Sequence, residues 1–351
     1  LQDPIVKDQL ISQVRNRLAA SDKFYKDRLD SFIRFHKIYK AIIDAKDDDD
    51  EPNTGANYAF GIIEDAVATV SESILNAGVP TPAQSRRARH EKKAENFNAM
   101  AAAYFASGQY QEDYPNSVRS RMICGPSWEM DEWANRWIKA KRWGKVTEVQ
   151  PSAAGGETPV EVTKEIEYDS PVDVGYRTRF PSVFLMRPQP YVLKVEKMKW
   201  LLEIEERVSL EDLAAQQFTD PKTGQRFPFF DLTEVMAEKA GGVTIRATPI
   251  ESLTQHQDML RQLADKVTQD SEDSQSGVDE LTLVWHWETD RVYVIANGRW
   301  LIAYKEHLYQ KPKIPYRLKG CTPQNGSLYA LGMIEPAEGQ FREIDDIHKL
   351  A

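Results

Sequence analysis

Cysteine is nearly missing from this sequence. Its 351 residues hold two, Cys124 and Cys321. Neither belongs to a CxxC pair or a metal-ligand spacing, so no disulfide framework and no zinc site is expected, and a reducing compartment fits. Long hydrophobic runs are missing too, for none approaches the roughly 18 residues of a membrane span. The opening residues LQDPIVKDQ lack the basic and apolar blocks of a secretory signal. Phosphate-binding loops are absent: there is no GxxxxGK[ST], and Gly144 and Lys145 are followed by Val146. No GxGxxG follows a strand, and GxSxG and HExxH do not occur. The six histidines, at 36, 90, 256, 286, 307 and 348, are too scattered for a local ligand pair. With 54 Asp and Glu, no acid/base pair can be singled out. The expectation is a protein without enzymatic activity, cofactor or metal.

Positive charge is in deficit. Lys and Arg number 45, which leaves a net charge of −9, and such a surface repels a phosphate backbone. What is present is an ordinary globular composition, 41% hydrophobic and 28% charged, sufficient for one large domain or two smaller ones. The start at Leu1 and the end in FREIDDIHKLA, within a helix-like pattern, lead us to expect a piece of a longer chain.

Asp3 and Pro4 read as the cap and first residue of a helix carrying Val6, Leu10, Val14 and Leu18. Ser21 reads as the cap of a second, with Tyr25, Leu29, Phe32, His36, Tyr39 and Ile43 on one seam. His36, without a second ligand nearby, is expected to be a hydrogen-bonded core histidine. DAKDDDDEPNTG lacks the Gly and Glu of a calcium loop and reads as solvated. Further helices are expected with Ile63, Val67, Val70 and Ile74 on one face, from about Ala94 to Gly108, and from Ser117 to Cys124. After about Lys145 the texture becomes β-rich, with helical stretches at 194–206, 210–217, 232–240 and 251–267, the last before the linker TQDSEDSQSG. The fold class is therefore α+β, not regular βαβ.

LTLVWHWETDRVYVIANGRWLIAY predicts a three-stranded antiparallel meander with a type I′ turn at Asn297-Gly298, one face buried more deeply than the other. Alternation sends Trp285 and Trp287 to the face opposite His286, so packing explains all three better than base stacking or catalysis. Two basic stretches stand out: SRRARHEKK, with Arg86, Arg87, Arg89, Lys92 and Lys93, and WANRWIKAKRWGK, with Arg136, Lys139, Lys141, Arg142 and Lys145. The second has the cation-plus-aromatic character of a single-strand surface. The alternative is a helix face with Trp133 and Trp137 one turn apart, turned toward solvent or an acidic protein shell. The candidate partner contacts are Arg86, Arg87, Arg89, Lys92, Lys93, Lys139, Lys141 and Arg142.

The succession FYKDRLDSFIRFHKIY, NYAFGIIEDAVATVSESIL, a β-rich middle, the meander, and PYRLKGCTPQNGSLYALGMIEPAEGQFREIDDIHKL resembles the portal proteins of tailed bacteriophages. The resemblance rests on the order of Trp287 and Glu288, Asn297 and Gly298, Tyr329, Gly332, Glu335, Pro336 and Gln340. It implies a ring of about twelve copies at one capsid vertex, through which double-stranded DNA is packaged and ejected. It also implies a virion location, host cytoplasm during assembly, and no membrane. The implied partners are the major capsid protein, terminase large subunit, head-tail adaptor and scaffolding protein. On this reading residues 1–145 are the helical part of the wing, 146–333 its α+β part with the meander at 280–305, and 334–351 the start of a stem helix. Phe341, Ile344, Ile347 and Leu350 then lie on that helix, and the stem, clip and crown fall outside the sequence. An acidic conduit suits a sliding polyanion. The alternatives are another virion scaffold binding only proteins, or a nucleic-acid-processing enzyme whose active site lies elsewhere in a longer chain.

Overall fold

A computed structural model describes residues 4–40, 58–76, 84, 87–106, 108–151, 157–219, 225–248, 279–306 and 313–350. The fold is α+β: helices in the first third, antiparallel sheets after them. The helices are α1 (Pro4–Tyr39), α2 (Tyr58–Asn76), α3 (Glu91–Phe105) and α4 (Gly108–Cys124). The two expected N-terminal helices are one. No Gly or Pro interrupts residues 5–39, and the residues that read as a cap have tertiary partners. Ser21 is fully buried and its hydroxyl donates to the Pro188 carbonyl at 2.9 Å, while Asp22 accepts from Arg187. Gly108, expected to end a helix, begins α4, and the expected 117–124 helix is the second half of that element.

After α4 come β1 (Pro126–Pro151), β2 (Glu157–Arg179), β3 (Met186–Pro188) and β4 (Trp200–Ser209). Then follow α5 (Leu210–Ala215), β5 (Gln217–Thr219), β6 (Arg226–Pro228) and α6 (Thr233–Ala240). The chain continues as β7 (Glu280–Glu288), β8 (Arg291–Ala296), β9 (Trp300–Glu306), β10 (Tyr316–Gly320) and α7 (Ile334–Leu350). Strand structure thus begins at Pro126, well before Lys145. The expected helix at 194–206 is a short 3-10 turn at Val195–Lys197 followed by β4. Leu201, Leu202 and Ile204 make a short apolar run that fits either period, and pairing with β3 and β7 decides it. The expected helices at 210–217 and 232–240 appear as α5 and α6. The 251–267 helix, its linker and the acidic run DAKDDDDEPNTG lie outside the described residues.

The meander forms as expected. β7, β8 and β9 pair antiparallel in a five-stranded sheet of order β3-β4-β7-β8-β9. Asn297 and Gly298 take φ of 47° and 67°, the left-handed pair a type I′ turn demands. Both faces are covered, where the sequence led us to expect one buried more deeply than the other. Val284, Tyr293, Ile295 and Leu301 pack with Trp200 and Leu202 against Ile11 and Val14 of α1. Leu201, Trp287 and Val292 join the main core with Phe32, Phe35 and Tyr39 of α1, Ile63 and Val67 of α2, and Val118 and Ile123 of α4. One helix of 36 residues, about 54 Å long, therefore serves two cores. Each fully buried side chain in them contributes roughly 1.5–3 kcal/mol.

The chain divides into two compact units. The first comprises Leu1–Glu132, Arg177–Leu210 and Leu232–Ala351, and the second Trp133–Tyr176 and Glu211–Asp231. In the second, β5 and β6 pair antiparallel, Arg136 bridges to Gln216, and Arg226 lies 3.9 Å over the Trp137 ring.

Candidate functional site

Within the first unit, the C-terminal helix begins at a knot of glycines. At the end of α4, Gly125 takes a φ of +98°, and its carbonyl accepts from the Cys321 amide at 3.0 Å. Thr322 and Leu331 exchange backbone hydrogen bonds at 3.0 and 2.8 Å, and the Met333 amide donates to the Met122 carbonyl at 2.6 Å. Three segments cross so closely that a Cβ on Gly125 or Gly320 would overlap Ala330, and one on Gly332 would meet the Ile123 carbonyl oxygen at 2.5 Å. Only glycine allows this approach. These are the residues after which α7 begins.

Side chains of α1 clasp the first turns of that helix. Arg28 donates to Glu335 at 2.7 Å and to the Ala330 carbonyl at 3.1 Å, with its guanidinium 5.0 Å over Phe32. Arg34 pairs with Glu338 at 2.7 Å, and Arg342 meets the same carboxylate at 2.7 Å. Carboxylates near a helix N-terminus also favour its dipole. Tyr329 is buried against Tyr25 and Phe32, with ring centroids 5.4 and 5.6 Å away, and burial raises its hydroxyl pKa. The arrangement is mechanical: it fixes where α7 begins and how it lies against α1.

The meander is locked to α1 in the same manner. Arg15 donates twice to the Gly298 carbonyl, at 3.0 and 2.7 Å, and Arg17 pairs with Glu288 at 2.6 Å. His286 is fully buried, stacked on Tyr293 at 4.3 Å and on Trp200 at 6.3 Å, with Arg17 at 2.5 Å from Nε2. Arginine only donates, so Nε2 accepts and the proton sits on Nδ1. Burial first, and the Arg17 charge second, push the His286 pKa down to about 2. Trp285 and Trp287 lie on the opposite face, stacked at 5.9 Å. The packing explanation of this trio holds in the structure, and His286 is no accessible base. His36 is half-buried, its ring 5.5 Å from Phe184.

A measurable consequence is acid lability. Below the ordinary histidine value of 6.5 the unfolded chain protonates at this position while the folded chain stays neutral down to about 2. The unfolded state binds more protons, so stability falls as pH falls. His286 should contribute a loss of about 1.4 kcal/mol per pH unit below that value. Urea midpoints at pH 6.5 and 4.5 should show a smaller difference in His286→Gln than in the wild type. Equal differences would mean that His286 titrates normally.

A second polar network lies deep in the first unit. Glu203, 2% exposed, accepts both Arg179 nitrogens at 2.7 and 2.8 Å and the Tyr316 hydroxyl. Arg179 also reaches Glu132 at 3.5 Å, and Arg177 pairs with Glu132 at 2.5 Å. Burial pushes the Glu203 carboxyl up, against the pull of Arg179 and the Tyr316 hydrogen bond. The network ties the end of β2 and the start of β10 to the interior of β4. Arg187, with no exposed side-chain surface, does the same for β3 and α1, holding Asp22 and the Phe184 and Met186 carbonyls.

The two basic stretches belong to different units, the first to unit one and the second to unit two. Arg86 lies outside the described residues. Arg87 precedes a 3-10 turn at Ala88–His90, Arg89 donates to His90 at 3.2 Å, and Lys92 and Lys93 are exposed on the first turn of α3. The second stretch is strand rather than helix, so Trp133 and Trp137 are not one helical turn apart. Lys141 pairs with Glu165 of β2 at 3.3 Å, and Arg136 with Asp212. The side chains of Lys139 and Arg142 are outside the described set, but both residues lie on β1. An acidic strand beside these cations weakens the single-strand reading.

Among the described residues no group of three or more His, Cys, Asp or Glu could hold a metal, and no helix is long and apolar enough to cross a membrane. Cys124 and Cys321 are both free thiols. Sequence reasoning missed Arg28, Arg179, Arg187 and Glu203. Their partners are close in space and mostly remote in sequence, so no local spacing announced them. No protein-family model matches the chain, and no curated protein is similar to it in sequence.

Proposed function

We propose that the chain is a structural subunit of a phage portal ring, without catalytic activity, and that the described residues are wing and the start of stem. The observation that carries this reading is the clasped start of α7. A helix begins at a glycine crossing, is gripped by Arg28 and Arg34 of α1, and packs Ile334 and Phe341 on the main core, which is how a part that holds geometry is built. Residues behind the sequence resemblance occupy structural points: Trp287 the core, Asn297-Gly298 the turn, Tyr329 and Gly332 the crossing, Glu335 the clasp. On this reading the ring sits at the capsid vertex of the virion. It assembles in host cytoplasm, passes double-stranded DNA, and meets capsid, terminase, adaptor and scaffolding proteins.

Electron microscopy of the purified protein tests it. The expected class averages are rings of roughly twelve subunits around a channel wide enough for duplex DNA. Added DNA and divalent metal should give no turnover. Particles without rotational symmetry or a hole would favour a virion scaffold instead, and DNA turnover would favour an enzyme.

A further inference from the structure

The hairpin of β1 and β2 separates charge by strand. From residue 133 to 151, β1 carries Arg136, Lys139, Lys141, Arg142 and Lys145 against a single carboxylate, Glu148. From 157 to 176, β2 carries Glu157, Glu161, Glu165, Glu167, Asp169 and Asp173 against a single cation, Lys164. β2 is the outer strand of its sheet, whose order is β10-β1-β2. Among the described residues no other strand pairs with it. β10 covers β1 only at residues 126–130. Past the bridge from Arg136 to Gln216, the far edge of β1 also has no neighbour among the described strands. Pro159 and Pro171 bracket an uninterrupted stretch of β2 between them. Exposed apolar side chains accompany both strands, Ile138 at 44% and Tyr168 at 39%. A long open edge of this kind is a template for another strand.

We propose that residues 160–170 of β2 form a docking edge for the basic 138–150 stretch of β1 from a second copy of this chain. Charge selects the geometry. A two-fold contact, β2 on β2 or β1 on β1, sets like charges opposite one another and is disfavoured, whereas β1 on the next copy's β2 sets Lys and Arg opposite Glu and Asp. The contact between Lys141 and Glu165 within the chain, at 3.3 Å, is the kind that would recur between copies. Each copy then keeps one basic and one acidic edge, so association runs head to tail and stops only on closure. A nucleic acid is the poorer occupant, because Lys141 is already paired with Glu165 and β1 lies beside a strand rich in carboxylates. The inference depends on the portal reading only for closure into a ring.

Two charge-reversal variants of the 351-residue chain test it by sedimentation velocity at low salt. One carries Lys139→Glu, Lys141→Glu and Arg142→Glu, and the other Glu161→Lys, Glu165→Lys and Glu167→Lys. The wild type should associate, less so as salt shortens the screening length. Each variant alone presents like-charged edges and should associate about 100-fold or more weakly. Their equimolar mixture should recover association, since one supplies an acidic β2 and the other a basic β1. Mixing restores no contact inside either chain, so recovery cannot be an effect on folding. A chain carrying all six changes should associate like the wild type. A monomeric wild type, a two-fold dimer, variants that assemble unaided, or a mixture and six-change chain that both stay apart would each overturn the proposal. So would a wild type that binds duplex DNA in preference to itself. Rings that persist in both variants would overturn this interface while leaving the ring reading standing. Open head-to-tail chains that both variants abolish would support the interface and count against the ring.

Discussion

Arg179→Met is expected to lower the unfolding free energy by about 3–5 kcal/mol, because it strands the buried Glu203 carboxylate without its cation. The magnitude follows from the geometry. Glu203 is 2% exposed and receives both guanidinium nitrogens, so water cannot replace the lost partner and only the Tyr316 hydroxyl remains beside it. The double variant Arg179→Met with Glu203→Leu should recover most of that loss, since removing both charges removes their desolvation cost as well. Urea midpoints of the wild type, two single variants and the double variant complete the cycle. A loss under about 1 kcal/mol in Arg179→Met would place the pair in the range of solvated surface bridges and refute the buried-network account.

The glycine crossing should be equally intolerant. Gly125→Ala combines a left-handed backbone at φ +98° with an overlap on the Ala330 carbonyl, and neither group belongs to a flexible side-chain end that could yield. A loss above about 4 kcal/mol, or failure to fold, is the expected result. Gly332→Ala meets backbone oxygens of both Ile123 and Met122 and should behave alike. Gly61 is the control: it sits within α2, and an added methyl group there would find nothing within 4 Å, so Gly61→Ala should stabilise by about 0.5–1 kcal/mol. Thermal unfolding of the three variants side by side would read the contrast. If Gly125→Ala and Gly332→Ala cost no more than ordinary surface changes, the segments do not cross as described.

Much of the local structure was legible along the chain. Asn297-Gly298 between alternating apolar residues announced the meander, because a type I′ turn needs two left-handed residues and few pairs supply them. The opposed placement of His286 and the two tryptophans followed from the two-residue period of a strand. Where local signals were ambiguous, they misled. Ser21 looks like a helix cap, but its hydroxyl finds Pro188 instead. WLLEIEERVS supports either period, and two neighbouring strands decide it. The basic run around Lys139 and Lys141 looks like a binding face until the acidic strand beside it is seen.

The sequence by itself determined the α+β class, the meander and its turn, the helical end, and the lack of recognisable catalytic motifs. Each of these depends on residues a few positions apart, where backbone sterics and hydrophobic periodicity act directly. Only the tertiary structure decided that one helix serves two cores, that Arg28 and Glu335 meet across 307 positions, that Arg179 neutralises a buried glutamate, and that three glycines share one crossing. Those contacts depend on distances that chain folding creates, and a residue's type carries no record of which remote partner will satisfy its charge or occupy the space beside its Cα.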